Sequence, residues 1–124
     1  MSVKVLVTGS RDFSDYQMIY DALDSIYGTR PMSGMIVIHG NARGADTIAD
    51  RWAVARSDVS VVRVPADWNN DKKRGGPIRN RRMLELNPDI VLAFFQKDAK
   101  NIGTTNMRNL ARAEKYSIQE YYGN

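Results

Sequence analysis

The chain is 124 residues long, which suits a single domain spanning 1–124 that buries a core without staples. Its 43% apolar and 26% charged residues are those of an ordinary soluble globular protein, and the absence of cysteine excludes disulfides and thiolate metal sites. The formal charge of +4 is concentrated in "KKRGGPIRNRR", residues 72–82, where Lys72, Lys73, Arg74, Arg79, Arg81 and Arg82 occur without an acid. Taking those six from 18 bases leaves 12 against 14 acids, so a local anion or nucleic-acid contact is implied rather than a basic coat.

The opening "MSVKVLVTGS" holds too short an apolar run for a signal peptide or a membrane span, and a cytoplasmic protein without membrane contact is expected. "VKVLVTG" reads as a buried strand over Val3 to Thr8. From Asp15 to Tyr27, Tyr16, Ile19, Tyr20, Leu23, Ile26 and Tyr27 follow helical spacing, with Ser14 or Asp15 as the cap and Gly28 as the stop. "MIVIH" is a second strand, and Ala45, Ile48, Ala49, Trp52 and Ala53 mark the face of a second helix. "SVVRVP" is a third strand closed by Pro65, followed by a polar stretch to Pro77 and a short helix from Ile78 to Leu86. "DIVLAFF" is a fourth strand, 96 to 103 a loop, Thr104 to Lys115 a helix, and "SIQEYY" a fifth strand at the sheet edge.

Strand and helix alternate, which predicts an α/β fold: a parallel sheet with helices on both faces, joined by right-handed crossovers. Ligands of such sheets bind beyond the carboxyl ends of the strands. Four loops there carry candidate residues. In "TGSRDF", Gly9 permits close approach, Ser10 offers a hydroxyl and Arg11 a planar fork for phosphate, although a plain strand-to-helix turn explains them too. The spacing is neither a dinucleotide fingerprint nor a Walker A loop.

In "HGNARGADT", Gly40, Ala42 and Gly44 leave backbone N–H groups to face a ligand at a helix N-terminus, and Arg43 adds charge. Asp46, in the first helical turn, opposes a bare phosphate and suits the helix dipole or a ribose hydroxyl. His39 is the only histidine, and its place at a buried strand end suits a structural role. Without a second histidine or cysteine, and with no metal spacing among the carboxylates, neither a metal nor a cofactor is expected.

The third loop, "PADWNNDKKRGGPIRN", is long and polar. Trp68 is placed to stack on a base, Arg74 and Arg79 to pair with phosphate, and Arg79 with Asn80 opens a helix where an anion is favoured. A solvated loop whose tryptophan covers the core edge is the plainer alternative. In the fourth, "NIGTTNM", Gly103 followed by Thr104 and Thr105 makes a phosphate cradle or a simple threonine cap.

Together "GSRDF", "HGNARGADTIADRWA", "PADW", "GGPIRNRRML", "DIVLAFF" and "GTTNM" resemble the YspA-like, YpsA-related branch of the SLOG superfamily. The resemblance implies a Rossmann-like three-layer sandwich with a mostly parallel five-stranded sheet that binds a nucleotide or nucleotide-derived ligand. It also implies a bacterial or phage setting, a possible role in signal sensing or sequestration, and homo-oligomers assembled through helix faces. LOG-type relatives hydrolyse the N-glycosidic bond of nucleoside monophosphates with an arginine at a helix start and a P-G-G-x-G-T-x-x-E loop. Arg79 and Gly103-Thr104 are similar to parts of that pattern, but the glutamate position is Met107 and the loop begins Lys100-Asn101-Ile102. A methionine cannot stabilise oxocarbenium charge or activate water, which leaves Asp46 or Asp67 as the candidate catalytic carboxylates. A third reading, kept by the kinship of SLOG folds with DNA-processing protein A, is nucleic-acid binding through 72–82.

Overall fold

The computed structural model describes residues 1–124. Short β-branched runs form the strands, each but the last followed by a helix: β1 (Val3–Gly9), α1 (Tyr16–Tyr27), β2 (Met35–His39), α2 (Ala45–Val54), β3 (Val59–Arg63), α3 (Trp68–Asp71), α4 (Gly75–Leu84), β4 (Ile90–Gln96), α5 (Ile102–Ala113) and β5 (Ile118–Gly123). The strands lie in the order β3-β2-β1-β4-β5, and every pairing is parallel. The sheet is therefore wholly parallel, beyond the mostly parallel sheet expected, with β5 at one edge.

Side chains of period two divide the core. Val5, Val7, Leu92 and Phe94 face α1 and α2, where they meet Ile19, Leu23, Ala49 and Trp52. Leu6, Ile38 and Val91 face the other way, onto Met83 and Leu84 of α4 and Met107 and Ala111 of α5. This is the three-layer Rossmann-like sandwich. The Asp15 carboxylate caps α1 by accepting from the Met18 N–H, and the Gly28 N–H closes the other end on the Asp24 carbonyl.

The segment after β3 departs from the polar loop expected between Ala66 and Pro77. It holds α3, a 3₁₀ turn over Lys72–Arg74, and the first turn of α4, which begins at Gly75 rather than Ile78. Gly-Gly-Pro reads as a breaker, yet Pro77 stands in the first turn, where its missing N–H costs nothing. The two glycines are needed by a neighbour. A Cβ on Gly75 would stand 2.8–3.2 Å from three Trp68 ring atoms, a face-on approach, so the indole lies flat on bare backbone. Helix α5 likewise starts at Ile102, before Thr104. Asn101 holds the N-cap position without a side-chain bond to the helix, and its side chain closes the preceding loop, accepting from the Gln96 N–H and donating to the Gln96 and Ala99 carbonyls. No helix is long and apolar enough to cross a membrane.

Candidate functional site

The carboxyl ends of β1, β2 and β3 open into a cavity of about 290 Å³, near the small end of the roughly 300–1,000 Å³ usual for ligand pockets. Arg11 enters from the turn after β1, Gly40–Arg43 form the wall after β2, Pro65, Ala66 and Trp68 the wall after β3, and Arg79 reaches in from α4. No carboxylate lines it.

The turn after β2 is braced from several sides. Gly44 has φ +78°, and a Cβ there would strike the Ser10 carbonyl oxygen at 2.4 Å, so only glycine lets α2 start against the β1 turn. The Ala45 N–H donates to that same Ser10 oxygen. Asn41 adopts a left-handed conformation, and its N–H donates to Nδ1 of His39 at 2.9 Å. Thr47 closes the turn by donating its hydroxyl to the Ala42 carbonyl.

Asp46 changes the reading of this turn. Its carboxylate is buried and accepts from the N–H groups of Gly40 (3.0 Å) and Ala42 (3.3 Å). Those donors, expected to face a ligand, hold an internal carboxyl group instead. Burial pushes the Asp46 carboxyl above the usual carboxylate range, while His39, the Ala42 and Gly40 amides and Arg79 act against that rise. Neither a ribose contact nor a free catalytic carboxylate is presented at this position.

Arg79 is the buried cation of the cavity, 8% exposed. It sits in the second turn of α4, not at a helix start, because the helix begins at Gly75. Nη1 donates to the Gly40 carbonyl at 2.6 Å and Nε to the Asn80 side-chain oxygen at 3.0 Å. Both partners are neutral, and no carboxylate touches the guanidinium. Burial lowers its pKa from the ordinary value, Asp46 opposes the change, and the nearby Arg11 charge adds to it. Gly40 exists to admit this side chain, since a Cβ there would overlap Nη1. Arg11 stands over the Trp68 ring, its guanidinium carbon 5.6 Å from the centroid. Trp68 is 47% exposed, and Arg43 is paired only loosely with Asp12 at 3.8 Å.

Of the residues singled out from the sequence, Arg11, Gly40, Ala42, Arg43, Trp68 and Arg79 line the cavity. The others do not. Gly9, Ser10 and Gly44 pack the β1 and β2 turns together beneath it. Asp67 caps α3, accepting from the N–H and side-chain amide of Asn70, and that side-chain amide holds its carboxyl below the usual range. Arg74 is exposed outside the cavity. Asn80 ties α4 to α5 by donating to the Gly103 carbonyl and the Asn106 side chain. Gly103, Thr104 and Thr105 lie in the first turn of α5, away from the cavity, with Thr104 buried. Met107 is wholly buried in the core beneath α5. Sequence reasoning missed Asn41, Pro65 and Ala66. Asn41 carried a usable signal, because asparagine tolerates left-handed turns, whereas Pro65 and Ala66 are backbone walls with no chemical signature.

A second hollow of about 420 Å³ opens between α1 and α2 and shares Arg43 with the first. It lacks a buried charge and lies on the outer side of the turn. A model of the YspA, cpYpsA-related SLOG family matches residues 3–70, a segment containing every cavity residue except Arg79. The gene 61 protein of Mycobacterium phage D29 is 39% identical over 116 residues, covering 89% of this chain and 90% of that protein. The family pattern takes in more than half of the sequence and this relative nearly all of it, and the chain belongs to the YspA, cpYpsA-related SLOG family.

Proposed function

We propose that this protein binds a nucleotide or nucleotide-derived anion in the cavity at the ends of β1, β2 and β3. The observation that carries the reading is Arg79: a buried guanidinium without a carboxylate in contact, in a cavity with two further arginines and no acid. Such a charge is costly to bury unpaired, and an anionic ligand supplies the missing partner. Trp68, laid flat on Gly75, half exposed and lining the cavity, offers a stacking surface for a base next to the guanidinium forks of Arg11 and Arg43. Sequestration of such a ligand needs nothing more than this, whereas sensing adds an output coupled to binding.

A glycosidase draws no support from the same geometry. Asp46 is engaged with backbone amides, Asp67 caps a helix, and a methionine in the core holds the glutamate position. Calorimetric titration with AMP, ADP-ribose and cyclic nucleotides tests the proposal. Binding is expected for at least one, weakened by Arg79→Met. No heat with any of them at about millimolar concentration overturns it.

A further inference from the structure

His39 lies at the end of β2 with 1% exposure, outside the cavity, and both of its ring nitrogens are engaged. Nδ1 accepts the Asn41 N–H at 2.9 Å, and Nε2 lies 2.6 Å from the Asp50 carboxylate. A backbone N–H has only a proton to offer, so Nδ1 carries none. The ring proton is then on Nε2, which donates to Asp50. Asp50 is fixed in turn by Arg63, whose Nε and Nη2 donate to its two oxygens at 2.6 and 3.1 Å. A continuous chain therefore runs from Arg63 on β3 through Asp50 on α2 and His39 on β2 to Asn41, a wall of the cavity.

We propose that His39 is a positioning residue for the ligand-binding turn, and that adding a proton to its Nδ1 releases that turn and weakens binding. Two hydrogens would then meet between Nδ1 and the Asn41 nitrogen, and a left-handed, non-glycine residue would lose the bond that holds it. The charged and titratable groups facing the ring are Asp50 and Asp46 from α2 and Arg63 from β3, with Arg79 from α4 behind Asp46. A proton on Nδ1 and the donated Asn41 N–H exclude each other, while Nε2 keeps its bond to Asp50, so the Asn41 bond is the element that yields. The ligand half of this inference rests on the nucleotide reading above, whereas the turn half stands without any ligand.

The test follows the ligand-free protein by NMR from about pH 8 to about pH 5, the span in which histidines change charge. The His39 nitrogen signals should report a bare Nδ1 at the upper end. The amide signals of Gly40–Gly44 should move with the same midpoint as the His39 ring on acidification. His39→Asn keeps an acceptor for the N–H two residues on and cannot titrate, so its turn amides should stay still. With AMP as probe, affinity of the native protein should fall roughly five- to tenfold over the same titration, the scale of one lost backbone bond. Whatever its affinity at the upper end, His39→Asn should show no such fall with pH. Asp46→Asn should keep the pH dependence, which separates His39 from the other buried titratable group. A proton found on Nδ1 at the upper end, turn amides that ignore the His39 titration, or a pH dependence that survives in His39→Asn overturns the proposal. Each is readable on the native fold or one variant. Absence of AMP binding counts against the nucleotide reading and leaves the amide result to decide the role of His39.

Discussion

Replacing Gly40 with alanine isolates the contact between the β2 turn and Arg79. The added Cβ would overlap Nη1 and lie 2.6 Å from Cζ and 3.0 Å from Nε, so the guanidinium must shift away from the turn. It would give up its bonds to the Gly40 carbonyl and the Asn80 side chain. A hydrogen bond to a charged group contributes about 1.5–3 kcal/mol, and alanine returns about 0.4–1 kcal/mol by stiffening the unfolded chain. Water re-solvates part of the freed charge, so a net loss of about 2 kcal/mol is expected. For a domain of this size that lowers Tm by about 8 °C. Ligand affinity should fall by roughly 10- to 150-fold if the displaced fork was pairing with the anion. Thermal melting and calorimetry with AMP on Gly40→Ala measure both. A melt within about 1 °C of the native protein refutes the packing argument, and a lower melt with unchanged affinity refutes Arg79 as the anion contact.

Trp68→Ala should cost roughly 1–3 kcal/mol of binding energy if a base stacks there, with little change in Tm. In the native protein the ligand should quench only the solvent-accessible fluorescence, because Trp52 is fully buried and Trp68 is not; quenching that survives Trp68→Ala contradicts the platform. Neutralising Lys72, Lys73 and Arg74 together should leave AMP affinity within about twofold, since none of them lines the cavity; a large loss would return attention to the basic segment as a nucleic-acid surface. Met107→Glu, a carboxylate set into a wholly buried apolar cluster, should destabilise by about 3 kcal/mol or more in urea unfolding and yield no release of free base from nucleoside monophosphates. Asp50 is held below the usual carboxylate range chiefly by the Arg63 hydrogen bond, with His39 adding to it. The native state then binds fewer protons than the unfolded chain, so this stability is present above the unfolded value and lost as pH falls through the folded one. Asp46, shifted upward, contributes with the opposite sign. Asp50→Asn should therefore flatten the acid limb of stability against pH, and an unchanged acid limb would remove Arg63–Asp50 from the account.

The sheet was legible in the sequence because β-branched runs such as "MIVIH" and "DIVLAFF" have no alternative use, and strict alternation with helices leaves one topology class. The start of α4 was not. Whether Gly75-Gly76-Pro77 breaks a helix or begins one depends on an indole 7 residues upstream needing a flat seat. Asp46 shows the same limit in chemistry. A carboxylate in the first turn of a helix faces a ligand or its own preceding turn according to the dihedrals at Asn41 and Gly44, and those are fixed by His39 at the end of β2 and by Ser10 from the turn after β1. Arg79 was recognisable as a candidate by its residue type, but its burial against Gly40 is a contact between positions 39 apart in the chain.

The internal carboxylate of Asp46 also bears on how such a domain diverges. In nucleotide sites built on backbone amides, the geometry that recognises phosphate is the geometry of the fold itself, and a new ligand requires a new loop. Here the amides of Gly40 and Ala42 are spent on the protein's own carboxyl group, and in the proposed site recognition falls to guanidinium forks and one indole. The exposed fork of Arg43 can be exchanged without disturbing the bonds that brace its turn. On the proposed reading, a lineage with this arrangement changes what it binds by point substitution at positions 11 and 43 while its scaffold stays intact.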